Sequence, residues 1–258
     1  MFMPEIKTIV MKFGGTSVAE EAARKRMVKH IIREVNDGYK VLVVVSAMGR
    51  LGAAYSTDTL AQLVSKKVTP RESDRLLSCG EVISSIITSD TLRGQGVKVD
   101  SLAPHELGII TDDTFCDAHI LIVDTQDLLK KFQKFDVLIA PGFIGINEEG
   151  YITTLGRGGS DTTAIALGAS IGSEFIDIYS DVIGVMTKDP KIDPDAQLIK
   201  ELTYDELIEI ANSGAKVIHL KAIKLAKDYE VNMRFRSTFE DFVGTVVKKN
   251  VTKETDHE

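Results

Sequence analysis

A short N-terminal segment constrains the fold most strongly, because it places a strand, a lysine, two glycines and a helix start in succession. Residues 8–10 are typical of a buried strand, and apolar residues recur at helical spacing through 19–36. Gly14 and Gly15 allow the backbone to approach an anion closely, while Lys12 and the helix N-terminus supply positive charge. The segment therefore predicts an anion site at a strand end. A tight turn carrying a solvated lysine is the alternative interpretation.

The order of apolar segments predicts an α/β fold. Strand-like and helical runs alternate through the first part of the chain, at 40–46, 61–64, 81–92, 97–102, 119–123 and 137–139. This alternation indicates a three-layer αβα sandwich with a mainly parallel central sheet. A second group of elements starts near Gly168, with a strand at 174–179, a capping box at 203–206, a helix at 221–227 and strands at 231–235 and 244–247.

We expect one domain over 1–247, divided at about residue 170 into two lobes, followed by a charged tail at 248–258. The segment 49–58 lacks apolar periodicity and follows a strand, so it is predicted to be an irregular loop beside the ligand.

Composition excludes several classes of protein. The 258 residues are 43% hydrophobic with a net charge of −7, which disfavours disorder and a general nucleic-acid surface. No apolar run is long enough to span a bilayer and no signal peptide is recognisable, so no membrane association and a cytoplasmic location are expected. Cys79 and Cys116 are expected to be packing thiols, and a dedicated metal site of histidine and cysteine is not expected.

A second glycine-rich segment lies at 154–163 and runs into small residues suited to a helix. Its glycines, including Gly158 and Gly159, can aim backbone N–H groups at an anion. Arg157 offers a planar fork that suits a carboxylate. Ser160 or Asp161 is predicted to cap the helix, and a purely capping role for Asp161 is an alternative.

These glycine runs match neither a Walker A loop nor the dinucleotide fingerprint, and the signatures of protein kinases are missing. What remains is a phosphate-handling site made from separate glycine-rich turns at strand ends. A third segment, 78–81, places Glu81 after a glycine at an expected helix start, where a surface residue that compensates the helix dipole is the alternative.

Together these segments resemble the aspartate kinases of the amino acid kinase family. The resemblance covers about 9–247 and is most like the short-lid Gram-positive type, whose loop carries a segment similar to 55–58. Five motifs carry it in order, at 12–17, 45–49, 77–81, 156–161 and 214–217. It implies transfer of the ATP γ-phosphate to the side-chain carboxylate of L-aspartate, giving 4-phospho-L-aspartate, towards lysine, threonine and methionine.

The resemblance also implies roles for particular residues. Lys12 would bridge the attacking carboxylate and the transferring phosphoryl group, with Asp161 nearby as the second catalytic residue. The aspartate pocket would contain Ser46, Thr57, Glu81, Arg157 and Ser160, with Glu81 facing the ammonium group and Arg157 the α-carboxylate. Phosphates and nucleotide would contact Lys12, Gly14, Gly15, Gly158, Gly159, Ser180, Asp181, Gly184, Lys191 and Lys216. Mg²⁺ would be carried by ATP with few protein ligands. For Lys216 a solvated lysine at a helix end is the alternative.

The sequence departs from the family pattern on the nucleotide side. Ile183 replaces an acidic residue or proline, Lys191 replaces an arginine, and 219–221 replaces a segment like His-Pro-Arg. The chain also ends soon after residue 239, where the family continues into ACT regulatory domains. We therefore expect no feedback inhibition within this polypeptide, unless a separate chain bearing ACT domains supplies it or the sequence is truncated. Besides such a regulatory chain, we expect a second copy of this chain as a partner, in a homodimer.

Two further hypotheses stay open. A different member of the family, such as an acetylglutamate, glutamate or uridylate kinase, would share the fold but should lack these motifs in combination. A non-catalytic protein that regulates another kinase is suggested only by the changes on the nucleotide side.

Overall fold

The computed structural model describes residues 6–188, 193, 195–213 and 218–250. Within these residues the chain forms twelve strands. Their bounds are β1 Thr8–Phe13, β2 Lys40–Val45, β3 Val99–Ser101, β4 Ile109–Thr111, β5 Ile120–Val123, β6 Val137–Pro141, β7 Ile144–Asn147, β8 Ile152–Thr154, β9 Ile176–Ser180, β10 Glu201–Thr203, β11 Met233–Ser237 and β12 Val243–Lys248.

The same described residues form eight α-helices and one short 3₁₀ helix at Pro104–Leu107. The α-helices are α1 Gly15–Ala19, α2 Glu21–Asn36, α3 Thr57–Ala61, α4 Pro70–Arg93, α5 Gln126–Lys131, α6 Gly159–Ser170, α7 Tyr204–Asn212 and α8 Leu220–Asp228.

An eight-stranded sheet in the order β10-β12-β11-β9-β1-β2-β6-β3 forms the centre of the fold. Its pairings are parallel except for β11 with β12. The strands from before residue 170 occupy one half of this sheet and those from after it the other half, meeting where β9 pairs with β1. A smaller sheet, β5-β4-β7-β8, lies beside it.

Helices cover both faces of the large sheet, because alternate residues of each buried strand point to opposite sides. Val10 and Leu42 pack with α6 and α8, whereas Ile9 and Met11 pack with α2. The expected α/β fold with a mainly parallel central sheet is therefore confirmed.

Several local expectations need correction. The helix predicted at 19–36 is broken at Glu20, whose backbone is extended. Of the apolar run at 61–64, only Ala61 belongs to a regular element, the last residue of α3. Ser56 accepts a hydrogen bond from the Thr59 N–H, so the irregular loop gives way to α3 two residues early. Lys248 belongs to β12, which shortens the predicted tail; residues 251–258 lie outside the described part of the chain.

The two cysteines were predicted to be packing residues, and that prediction is wrong. Cys79 and Cys116 are both exposed free thiols. Cys79 lies on the outer face of α4, whereas Cys116 lies on a loop in the left-handed backbone region and borders a cavity of about 930 Å³.

Candidate active site

A cavity of about 930 Å³ lies where the carboxyl ends of β1 and β2 meet the start of α6. It brings together most of the residues that the sequence nominated for catalysis and for the acceptor pocket. The predicted residues that line it are Lys12, Ser46, Thr57, Glu81, Arg157, Gly158, Gly159, Ser160 and Asp161. Residues separated by almost 150 positions in the chain, from Lys12 to Asp161, thus line one open cleft.

Lys12 and Asp161 form an ion pair inside this cavity, with 2.7 Å between Nζ and Oδ1. Both side chains are mostly buried, so solvent screens the pair less than it would screen a surface pair. Lys12 extends from the end of β1 and Asp161 from the first turn of α6, so the pair joins two elements that are distant in the sequence.

The start of α6 is built differently from the prediction. Neither Ser160 nor Asp161 is the N-cap; that position belongs to Gly158, whose φ of 75° lies in the left-handed region. A side chain at Gly158 would be strained and would overlap His219. The Gly159 N–H donates to the Gly156 carbonyl at 3.0 Å. No side chain caps the helix, so the next N–H groups, those of Ser160 and Asp161, are available to an anion, and the helix dipole favours negative charge there.

Glu81 is the buried carboxyl group of the cavity, with 2% of its surface exposed. Its Oε1 accepts a hydrogen bond of 3.1 Å from the Ala47 N–H, whereas Oε2 has no hydrogen-bond partner among the described residues. Burial raises the pKa of Glu81 to about 8, opposed by the hydrogen bond from Ala47. Glu81 is therefore a core position of α4, and the surface alternative is wrong.

Arg157 lies on the short loop between β8 and α6 and borders the same cavity. Its side chain is exposed, and no carboxylate of the described residues lies within 4.0 Å of its guanidinium. The fork is therefore free to bind a carboxylate from solution with two parallel hydrogen bonds.

Asp74 anchors one side of this loop, a role that sequence patterns did not indicate. The side chain is fully buried on α4 and accepts hydrogen bonds from the N–H of Cys116, the N–H of Thr154 and the Thr154 hydroxyl, at 2.7 to 3.1 Å. Asp74 and Glu81 are seven residues apart on one buried face of α4. The helix therefore fixes the distance between Glu81 and the strand end that carries Arg157. The one signal of this role in the sequence is the helical spacing that places Asp74 on the same face of α4 as Glu81.

Lys221 anchors the other side of the loop. Its Nζ donates to the Leu155 and Ala118 carbonyls at 3.3 and 3.4 Å and pairs with Asp117 at 3.2 Å. A compact ammonium suits three oxygen acceptors arranged around one point. Residues 219–221, which differ from the family's segment like His-Pro-Arg, thus have a structural role in part, because Lys221 supports the loop that bears Arg157.

The residues proposed for nucleotide and phosphate contact are more scattered. Gly15 has a packing role, because a Cβ there would approach the Gly49 and Ala47 carbonyls to 2.6 and 2.8 Å. The Gly14 N–H donates to the Tyr179 carbonyl. Neither Gly14 nor Gly15 lines the cavity. The loop after β1 is therefore held tightly against the loop after β2.

The segment after β9 also lies outside the cavity lining. Asp181 pairs with Arg50 at 2.9 Å on the surface, and the Ser180 hydroxyl contacts the Val182 backbone. Gly184 is buried, and a Cβ there would press on Leu198 and Thr245. Lys191 and Lys216 lie outside the described residues.

The described ranges contain neither a metal-binding cluster nor a membrane-spanning helix. There, no group of three or more histidine, cysteine, aspartate or glutamate residues could hold a metal ion. Within the same part of the chain, no helix combines the length and apolar character that crossing a bilayer requires.

Comparison with known proteins agrees with this geometry. Residues 7–237 match the model of the amino acid kinase family. The chain is 44% identical to Aspartokinase 1 of Bacillus subtilis over 94% of its own length and 61% of that protein. It is also 44% identical to the aspartokinase of Geobacillus stearothermophilus, over 95% and 60%. The chain thus spans about 60% of the length of these curated relatives.

Solved structures give the same result. The structure of aspartate kinase from Synechocystis superposes with a TM-score of 0.82 at 38% identity, over 96% of this chain and 40% of that one. The complex of E. coli aspartokinase III with aspartate and ADP superposes with a TM-score of 0.80 at 26% identity, over 96% and 66%. A match to the family model over nine-tenths of the sequence, on the fold and cavity described above, shows that this chain belongs to the amino acid kinase family.

Proposed function

We propose that the protein is an aspartate kinase, which transfers the γ-phosphoryl group of ATP to the side-chain carboxylate of L-aspartate. A carboxylate oxygen attacks phosphorus, the bond to the β-phosphate oxygen breaks, and the products are 4-phospho-L-aspartate and ADP. The observation that carries the proposal is the joint presence of Glu81, Arg157 and the Lys12–Asp161 pair in one cavity. Similarity to aspartokinases, one of them solved with aspartate and ADP, supports it.

Glu81 and Arg157 are complementary to the two charged groups of an α-amino acid. We propose that the unpartnered Oε2 of Glu81 accepts the α-ammonium, and that Arg157 holds the α-carboxylate in a bidentate pair. The side-chain carboxylate is then free to point towards Lys12. Ser46, Thr57 and Ser160 line the same cavity and are proposed to complete the acceptor pocket with hydroxyl groups.

Phosphoryl transfer depends on positioning and charge neutralisation, because the acceptor carboxylate is already a nucleophile. Lys12 is proposed to neutralise the charge that develops between the acceptor and the γ-phosphate, while Asp161 orients its ammonium. The uncapped N-terminus of α6, with Gly158 and Gly159, is proposed to bind phosphate oxygens. Mg²⁺ would enter on ATP, whose phosphates supply most of the ligands that this ion prefers.

For the nucleotide itself, we propose contacts from Gly14, Gly15, Ser180, Asp181 and Gly184 on the strength of the family resemblance. The same holds for Lys191 and Lys216. The cavity lining contributes Asn212 and His219 on the side of α7 and α8, which supports a binding region extending in that direction.

The biological setting is proposed in the same way. The reaction would lead towards lysine, threonine, methionine and diaminopimelate in the cytoplasm, where ATP and free amino acids are available. We propose a homodimer and, from the family resemblance, a regulatory chain bearing ACT domains as partners. The division into lobes of about 1–170 and 171–247 is also proposed, the nucleotide being held mainly by the second.

An acceptor panel tests the proposed function. ADP release is measured with L-aspartate, N-acetylglutamate, glutamate and UMP in parallel, each with MgATP and the full chain. We expect turnover with L-aspartate and little with the others. Turnover confined to another acceptor would assign a different kinase of the family, and activity with none would favour a non-catalytic binding role.

A further inference from the structure

An exposed ion pair joins the two loops on either side of the turn that follows Lys12. Arg50 donates from Nη2 to Oδ2 of Asp181 at 2.9 Å, and the two side chains are 72% and 46% exposed. Arg50 lies on the loop after β2, and Asp181 lies on the segment after β9. Because β1 lies between β2 and β9 in the large sheet, the ion pair spans the carboxyl end of β1.

Backbone contacts hold this turn close to both loops. The N–H of Gly49, which lies next to the arginine, donates to the Gly15 carbonyl at 2.9 Å. On the other side, the Gly14 N–H donates to the Tyr179 carbonyl at 3.3 Å. A Cβ at Gly14 would lie 3.8 Å from Nζ of Lys12 and 3.7 Å from the Tyr179 carbonyl oxygen. The two loops that form the ion pair therefore contact the turn beside the Lys12 ammonium.

The ion pair is easily exchanged for a better one. An exposed pair contributes little stability, because solvent screens both charges and two long side chains lose freedom. A nucleoside di- or triphosphate offers the Arg50 guanidinium several anionic oxygens, and a planar fork binds such oxygens with parallel hydrogen bonds. The Asp181 carboxylate, by contrast, repels phosphate. Phosphates placed beside Lys12 therefore favour separation of the pair.

We infer that Arg50 binds the β- and γ-phosphates of the nucleotide, exchanging the Asp181 carboxylate for phosphate oxygens. The exchange frees Asp181, proposed above for nucleotide contact, to accept hydrogen bonds from neutral hydroxyl groups. Arg50 thus adds a cation to the site that lies outside the five family motifs and outside the cavity lining. The inference rests on the proposed function, since it requires a nucleotide whose phosphates reach Lys12.

Calorimetry with the full chain, Mg²⁺ and either ADP or AMP tests the inference. Arg50→Ala should weaken ADP binding about tenfold and change AMP binding less than about twofold, because AMP lacks the β-phosphate. Arg50→Lys keeps the charge without the planar fork, so its ADP affinity should fall between those of the wild type and Arg50→Ala. Lys130→Ala is the matched control, since it removes one cation from an exposed ion pair with Asp127 on α5.

A second set of variants separates phosphate binding from support of Asp181. Asp181→Asn breaks the ion pair and leaves Arg50 in place. Adding Arg50→Ala to this variant should weaken ADP binding about tenfold further, because phosphate contact does not need the aspartate. A role confined to holding Asp181 predicts no further loss. Circular dichroism establishes that every variant is folded.

Steady-state kinetics give an independent readout. Arg50→Ala should raise the KM for MgATP about tenfold and leave the KM for L-aspartate nearly unchanged, because the guanidinium contacts only the nucleotide. Equal increases in both KM values would show that Arg50 supports the whole site and does not bind phosphate.

Three binding results also overturn the inference. They are wild-type ADP affinity in Arg50→Ala, an equal loss of ADP and AMP affinity, and a loss that disappears in the Asp181→Asn background. Each of them leaves the proposed function standing, provided that the wild type binds MgADP. A folded wild-type chain that does not bind MgADP would overturn the proposed function together with this inference.

Discussion

The ammonium of Lys12 at the end of β1 lies 2.7 Å from the carboxylate of Asp161 in the first turn of α6. The pair itself is neutral, and it holds the Lys12 ammonium beside a helix N-terminus that no side chain caps. Two sources of positive potential therefore coincide at one point of the cavity, which is the arrangement that stabilises a transferring phosphoryl group.

Removal of the Lys12 ammonium should abolish most turnover. We expect Lys12→Ala to lower kcat by at least about 100- to 1,000-fold, because the charge developing in transfer loses its counter-charge. Lys25→Ala is the matched control, since Lys25 forms an exposed ion pair with Glu21 on α2. Steady-state ADP release and thermal unfolding are measured on both variants. Near-normal rates in folded Lys12→Ala would show that the assigned role is wrong.

Affinity for L-aspartate should depend on pH through Glu81. Its pKa of about 8 means that the carboxyl group is mostly protonated at neutral pH before substrate binds. An ammonium ligand favours the ionised form, so binding should release a proton. Apparent affinity should weaken about tenfold for each pH unit below about 8, down to about pH 6. Calorimetry in buffers of different ionisation enthalpy measures both effects, and Glu81→Gln should bind weakly without this pH dependence.

The same buried carboxyl group should make the free protein less stable as pH rises. The folded pKa of about 8 exceeds the ordinary value of 4.5, so the folded state holds more protons in that interval. Its contribution to stability is complete below about 4.5 and is lost as pH rises through about 8. We expect Glu81→Gln to unfold at higher temperature than the wild type at about pH 8.5, and the difference to vanish near pH 4.5. An equal difference at both values would contradict the burial effect.

Analogues of aspartate should separate the roles of Arg157 and Glu81. β-Alanine lacks the α-carboxylate and succinate lacks the ammonium group. Arg157→Ala should raise the KM for L-aspartate about 10- to 100-fold and remove most of the preference over β-alanine. Glu81→Gln should instead reduce the preference over succinate. If Arg157→Ala discriminated against β-alanine as strongly as the wild type, the guanidinium would not hold the α-carboxylate.

Asp74 should act on substrate affinity without touching substrate. Asp74→Asn turns an amide donor towards groups that also donate, so the Arg157 loop should loosen. We expect KM for L-aspartate to rise about tenfold with a smaller change in kcat. Thr154→Val, which removes one of these hydrogen bonds, should have a weaker effect in the same direction. Equal losses in kcat and kcat/KM would indicate a different role.

Much of the fold could be predicted because its buried strands are continuous apolar runs and its helices have clear periodicity. The capping box at Thr203 is present, with Thr203 and Glu206 bonded as expected. Residues carried by distinctive segments, such as Lys12 and Arg157, could be nominated for one site before the topology was known. Their meeting could not be read from strand order alone, because Lys12 ends β1 of the large sheet whereas Arg157 follows β8 of the smaller sheet.

The remaining features depend on tertiary contacts that leave little trace in sequence. Asp74 resembles any polar helix residue until its three hydrogen bonds are seen, and the acceptors of Lys221 include two carbonyls that any residue could present. Gly158, and neither Ser160 nor Asp161, is the N-cap. Its backbone is left-handed, and a Cβ at this position would overlap His219, so glycine suits the position for both reasons. The exposure of Cys79 and Cys116 could not be predicted from the absence of a metal-type pair and a reducing compartment, because neither argument says which side of an element a thiol lies on.

The central claim is tested most directly by trapping the product of L-aspartate phosphorylation with hydroxylamine. With MgATP and the full chain, we expect aspartyl hydroxamate in an amount equal to the ADP released, and neither product with Lys12→Ala. ADP formation without hydroxamate, or a folded wild-type chain that releases no ADP in the presence of L-aspartate, would contradict the claim.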